Sequence, residues 1–222
     1  MLQQINKKII LYIFLLIILG TLNNKNLKDF NLPNINTINI EGIEINNKNF
    51  LASLDLLKMN NLFFVDKFQV KEILNSNNLI EEYEVIKKYP SVLKVKIKKT
   101  NFLASTNRNG KKYLVGSNGK FIETKKHSQE LPYVFGNFEI KKFLEFQKII
   151  SETDLNLKNI KNFYSFPSGR WDIEMTSGIL IKLPINEIKN SLNLSSNLFN
   201  DTKFSNIKIL DLRQKSQIVV ND

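Results

Sequence analysis

The chain has 222 residues and a formal net charge of +11, with 42% apolar and 10% aromatic residues. That apolar share excludes a disordered polypeptide and leaves room for one or two ordinary domains. Cysteine is absent, which excludes disulfides and thiolate metal sites. The positive charge is weak support for nucleic acid, because Lys supplies 29 of the 32 basic residues beside 31 Asn and 28 Ile, types that share AT-rich codons. Arg108, Arg170 and Arg213 are the only arginines, and readers of bases lean on Arg for bidentate contacts. No nucleic-acid partner is expected.

In chain order, the first element is Ile9 to Leu22, an apolar run after Lys7 and Lys8 that gives way to Asn23, Asn24 and Lys25. As a helix it rises about 21 Å, short of a hydrocarbon core of about 30 Å. A cleaved signal peptide fits the length, but the end of the run, Ile18-Leu19-Gly20, supplies one small residue where cleavage wants two. A buried core helix would show an amphipathic pattern, and none is visible. An uncleaved single transmembrane anchor is the reading adopted, extended by Leu2 and Ile5, with the N-terminus inside.

Residues 23–36 read as a polar tether broken by Pro33. Thr37 to Glu41 alternates as a short strand ended by Gly42. Asn47 caps a predicted helix carrying Phe50, Leu54 and Leu57, and Asp66 with Gln69 resembles a capping box opening a second helix with Val70, Ile73 and Leu74 inward. Tyr83 to Lys98 then reads as two strands about a turn at Pro90, with Leu93, Val95 and Ile97 alternating with Lys94, Lys96 and Lys98. The order strand, helix, helix, strand, strand makes a compact α+β unit over 37–100.

Residues 101–222 are strand-rich. A hairpin is expected about Ser117-Asn118-Gly119 and another about Thr176-Ser177-Gly178, with helices at 140–150 and 185–199 and closing strands at 207–213 and 217–220. The fold expected is α+β throughout, the second region being antiparallel strands with two helices.

No catalytic constellation is apparent in the sequence. His127 stands alone in a polar loop, Glu82 and Glu84 share a strand face beside lysines, and no glycine-rich phosphate loop occurs. No enzyme activity, metal, cofactor or small-molecule substrate is expected. Lys87, Lys88, Lys94, Lys96 and Lys98 form a basic cluster, read either as the wet face of a sheet or as a contact face for anionic headgroups or an acidic partner. Asp211 and Arg213 share a strand face and read as a structural ion pair, and Trp171 as core. Gln217 to Val220 is an apolar strand two residues from the end, with nothing after it in the chain to cover an exposed sheet edge.

Several of these segments, in order, resemble the FtsQ/DivIB family of single-pass division proteins, which carry a POTRA domain followed by a β domain. Ile38 to Gly42 resembles the family's opening strand and glycine, Leu62 to Asp66 its entry to the second POTRA helix, and Lys87 to Val95 its basic, aromatic-Pro and strand run. Leu131-Pro132 with Gly136, Arg170-Trp171 through Leu183-Pro184, and Asp211-Leu212-Arg213 resemble its β domain. Departures occur at Lys99 to Leu103 and at Gly116, where the family has an Asp.

The resemblance implies an anchor over 1–22, a tether, a POTRA-like domain over 37–100 and a β domain over 101–222. It implies a non-enzymatic scaffold at the septum, in the inner membrane with its bulk in the periplasm. The implied partners are divisome membrane proteins of FtsB and FtsL type, with FtsK- and FtsW-like proteins beyond them. It places their contact on Asp211, Leu212, Arg213, Gln214, Ser216, Gln217, Ile218, Val219 and Val220. A competing reading is a POTRA-containing transport or chaperone protein for outer-membrane or secreted substrates, which usually carries repeated units or a barrel.

Overall fold

In the computed structural model, residues 7–22, 32–44, 47–125, 131–199, 207–214 and 218–221 are described. The first apolar run forms α1 (Lys7–Leu22). Its large side chains from Ile9 to Leu19 are 39% to 73% exposed, so no face is buried against the rest of the chain. A membrane-crossing helix needs about 20 predominantly apolar residues, and α1 is 16 residues long, two of them Lys. Among the described residues no helix is long and apolar enough to cross a membrane, so the transmembrane helix expected from the sequence is not found there.

The next unit contains β1 (Thr37–Glu41), α2 (Lys48–Asp55), a 3-10 turn (Leu56–Met59), α3 (Lys67–Asn75), β2 (Ile80–Lys88) and β3 (Val92–Lys99). β3 is central in a three-stranded sheet, parallel to β1 and antiparallel to β2. Leu93, Val95 and Ile97 project from β3 onto Phe50, Leu54, Leu57, Val70 and Leu74 of the helical layer. Asn47 starts α2 by accepting from the Asn49 and Phe50 amides at 3.0 and 3.2 Å. At α3 the capping box is only half realised. Asp66 accepts from the Phe68 amide at 2.8 Å, while the Gln69 side chain turns away to accept from Asn60 Nδ2 at 3.3 Å.

The second sheet has nine strands: β4 (Phe102–Arg108), β5 (Lys111–Gly116), β6 (Phe121–Glu123), β7 (Tyr133–Phe135), β8 (Ile160–Ser165), β9 (Trp171–Met175), β10 (Leu180–Lys182), β11 (Ile209–Asp211) and β12 (Val219–Asn221). Their order is β12-β11-β10-β9-β8-β7-β4-β5-β6. The sheet is mixed and not antiparallel throughout as the sequence suggests, because β4 with β7, β7 with β8 and β10 with β11 run parallel. For β4 and β7 the chain passes through β5 and β6 before it returns, and for the other two pairs the cause lies in the helices. α4 (Ile140–Ser151) connects β7 to β8 and α5 (Ile188–Phe199) connects β10 to β11, and a helix inserted between neighbours returns the chain in the same direction.

Val134, Phe163, Ile173, Ile181 and Leu210 align across the sheet on the face that α4 and α5 cover with Phe143, Phe146, Ile150 and Leu192. Trp171 stacks on Phe146 at 5.1 Å within this core. The opposite face carries no helix among the described residues.

Polar contacts join the two sheets. Asn118 Nδ2 donates to the carbonyls of Asn78 and Ile80 at 2.8 and 2.9 Å, Ser117 Oγ donates to Glu81 at 2.6 Å, and Lys120 Nζ reaches the Asn75 carbonyl at 2.7 Å. Asn78 Nδ2 also donates to the Phe121 carbonyl of β6, so this edge of the large sheet lies against the smaller unit. Gly116 belongs to the same junction, since a side chain there would meet Asn118 Oδ1 at 2.6 Å and Thr100 Oγ1 at 2.8 Å.

Candidate partner-binding edge

The edge of the large sheet remote from this junction is β12, paired only with β11 among the described residues. Ile218, Val219 and Val220 are 42%, 51% and 41% exposed, high for three successive apolar residues. Register explains the pattern. Val220 lies opposite Leu210 on the helix-covered side, yet stays exposed because the helical layer does not reach that far. Val219 lies opposite Asp211 on the other side. Ile218 faces a cleft of about 690 Å³ whose lining includes Arg170, Ile185, Leu194, Leu212 and Arg213. Ile185 and Leu194 are themselves exposed, so apolar surface runs from the edge strand onto α5.

Of the other predicted contact residues, Leu212 is buried and anchors the segment, and Gln214 lines the cleft. Ser216, Gln217 and the solitary His127 lie outside the described residues. Asp211 and Arg213 pair with each other. Arg213 Nε lies 2.8 and 3.0 Å from the two carboxylate oxygens, and the Arg213 amide donates to Asp211 Oδ1 at 3.1 Å. The guanidinium hydrogen bonds hold the Asp211 carboxyl below its ordinary range.

Two further carboxylates on the helix-free side of the sheet carried no periodic signal in the sequence. Glu174 accepts from Tyr164, Asn162 and Lys161 at 2.6, 2.8 and 3.0 Å, and the Tyr164 bond foremost holds its carboxyl low. Asp172 behaves oppositely. It is 3% exposed, and burial pushes its carboxyl up against the pull of Arg170, whose Nε lies 3.2 Å away but off the hydrogen-bonding direction.

These directions set the response to acid. Asp211 titrates lower in the folded chain than in the unfolded one, so its contribution is present above the ordinary carboxylate range and lost as pH falls through the folded value. Asp172 titrates higher when folded, so its charge costs stability at neutral pH and the cost disappears on acidification. Urea unfolding is therefore expected to show Asp211→Asn as modestly destabilising at neutral pH and near-neutral in acid. Asp172→Asn should gain on the parent at neutral pH and lose that gain in acid.

The basic cluster is charge-paired. Lys94, Lys96 and Lys98 on β3 lie 2.7, 3.1 and 3.2 Å from Glu41, Glu84 and Glu82 on the flanking strands. Lys88 shares that face, whereas Lys87 lies opposite Leu93 and so belongs to the helix side. The five lysines therefore do not form one surface. No group of three or more His, Asp or Glu that could hold a metal occurs among the described residues.

The mixed sheet, with its open edge strand, makes up most of the region that known proteins match. Residues 104–213 match the family model described as cell division protein FtsQ/DivIB, C-terminal. The chain is an FtsQ/DivIB-like cell division protein. It is 28% identical over 135 residues to DivIB of Clostridium botulinum strain Hall, covering 60% of this chain and 50% of that one. It is 23% identical over 198 residues to FtsQ of Rickettsia bellii, covering 82% and 69%. The chain thus spans about half the length of the DivIB relative. Among solved structures, the major extracytoplasmic domain of the trans isomer of DivIB from Geobacillus stearothermophilus aligns with a TM-score of 0.36 and 15% identity, over 50% of this chain and 99% of that one.

Proposed function

We propose that the chain is a non-enzymatic scaffold at the bacterial division septum, linking early and late division proteins through protein contacts. In this reading α1 holds the chain to the inner membrane with the N-terminus in the cytoplasm. Residues 37–100 form a POTRA-like domain and 101–222 a β domain, both in the periplasm. Support for the anchor is the exposed apolar surface of α1 on every side, with Leu2 and Ile5 adding to the apolar stretch and local thinning of the bilayer meeting the remaining mismatch.

The observation that carries the proposal is the position of β12. An apolar strand at a sheet edge offers main-chain groups for an added strand and side chains for its specificity. Partners of FtsB and FtsL type would add there, along Asp211 to Val220, with FtsK- and FtsW-like proteins meeting other surfaces.

Replacing Ile218 and Val220 together with Asp is expected to weaken partner capture about tenfold or more, as loss of central apolar contacts does. Both side chains are exposed, so circular dichroism and the thermal midpoint should change little. Capture at the parental level would rule out the edge. The division role is read separately: depletion of the protein should give filaments, and a fluorescent fusion should gather at midcell. Cells that divide normally without it would reject that role.

A further inference from the structure

Apart from α1 and the β12 edge, exposed apolar surface gathers most densely at one end of the smaller unit. Met59, Phe63, Phe64, Phe68 and Tyr89 are 48% to 79% exposed. Single exposed apolar residues are ordinary, but five large ones gathered on adjoining turns are not. They come from three places in the chain: the end of the 3-10 turn and the loop after it, the first turn of α3, and the turn between β2 and β3. Phe63 and Tyr89, 26 positions apart, have ring centroids 4.6 Å apart, so the patch is continuous across the two turns.

The same end receives the chain from α1. Asn34 forms a bridge with Asn61, the Ile35 amide donates to the Asn60 carbonyl at 3.1 Å, and the Asn36 amide donates to the Ser91 carbonyl at 2.9 Å. The arriving strand is therefore stitched between the two turns that carry the aromatic residues. Residues 23–31 are all that separate Leu22 at the end of α1 from Leu32, and a connection of that length reaches at most about 35 Å when fully extended. Whatever surface holds α1 lies within that distance of the patch.

Charge selects the occupant. Lys67 and Lys88, both exposed, adjoin Phe68 and Tyr89 in the chain. Of the neighbouring carboxylates, Asp55 is paired with Lys58 at 2.7 Å, and Asp66 accepts from the Phe68 amide at the start of α3 and keeps its charge beside Lys67. Aromatic and apolar side chains bordered by lysines match the boundary between acyl chains and anionic headgroups.

We propose that Met59, Phe63, Phe64, Phe68 and Tyr89 form an interfacial contact with the anionic bilayer that holds α1, with Lys67 and Lys88 at the headgroup phosphates. The proposal rests on the anchoring read for α1 above. The contact gives the first folded unit a fixed seat on the membrane, which a tether alone does not.

The test uses the full chain, which has no cysteine of its own. Phe64→Cys, Ile13→Cys and Asn107→Cys are each labelled with an environment-sensitive fluorophore and reconstituted in vesicles of phosphatidylethanolamine and phosphatidylglycerol. All three positions are exposed, so the label does not disturb a core. Labels at 64 and 13 are both expected to shift to the blue, the label at 64 losing roughly half of its emission to a nitroxide carried at shallow acyl depth, as for a group seated at the interface, and the label at 13 to a nitroxide carried near the bilayer centre. The label at 107 should do neither. Quenching at 13 without quenching at 64 overturns the contact and leaves the anchor standing. Absence of quenching at both overturns both. A blue shift at 64 without lipid quenching means that protein covers the patch, and overturns the contact as well. In neutral phosphatidylcholine, quenching at 64 should fall while that at 13 persists; equal quenching at 64 in both lipids removes the role given to Lys67 and Lys88.

Discussion

Trp171→Ala is expected to lower the unfolding free energy by about 3–5 kcal/mol. The indole is 5% exposed at the start of β9 and lies among Phe138, Phe143 and Phe146 at ring distances of 5.9, 5.9 and 5.1 Å. Two of those rings belong to α4, whose seat on the sheet puts β7 and β8 side by side. Truncation opens a void that α4 cannot fill without leaving its strands, and incomplete relaxation raises the cost of such cavities. Because Trp171 is the only tryptophan, the measurement is urea unfolding followed by far-UV circular dichroism. A loss below about 1 kcal/mol would show that the helix repacks freely, contrary to this account. Phe64→Ser supplies the contrast, since its ring is 79% exposed and its removal should stay within about 0.5 kcal/mol.

Gly136→Ala should be comparably severe, at about 3 kcal/mol or more. Gly136 follows β7 with φ of +87°, and a Cβ placed there would stand 2.2 Å from the Ser165 carbonyl oxygen of β8. The two costs add: left-handed strain of about 1–2 kcal/mol for a residue with a Cβ, and a backbone collision relieved only by parting the ends of β7 and β8. Gly169→Ala separates them. That glycine has φ of +83° with nothing near its Cβ position, so only the strain applies. Thermal midpoints of the two variants should therefore differ clearly, and equal losses would show that the collision is relieved without cost.

Local features of the smaller unit were legible because each is written over a few adjacent residues. The alternation of Thr37 to Glu41 is β1 to the residue, Asn47 caps α2, and the Pro90 turn separates β2 from β3. Strand direction in the larger sheet was not legible. Both crossover helices were visible as periodic stretches, but nothing local shows that the strands on either side of a helix become neighbours. β7 is only three residues long, too short for a period to register. Features that depend on pairing also escaped. Glu174 meets Tyr164 and Asn162 from the adjacent strand, and the inward side of Lys87 follows from its place opposite Leu93. At the candidate edge, the apolar ending was plain in the residues, whereas its outermost position and its continuity with Ile185 and Leu194 required the strand order.

The hydrogen bonds through Asn118, Ser117 and Lys120 bear on reach. They clamp the β5-β6 loop to the end of the smaller unit where β2 begins and β3 finishes, away from the turn that carries Tyr89. The molecule is thereby a strut rather than two beads on a string. If the aromatic end sits on lipid as proposed, the altitude of β12 is set by folded protein, and a strand added there has to be presented at that level. A partner rooted in the same bilayer would need a stalk of matching length, so shortening or lengthening that stalk by helical turns becomes a way to tune assembly without altering a contact residue.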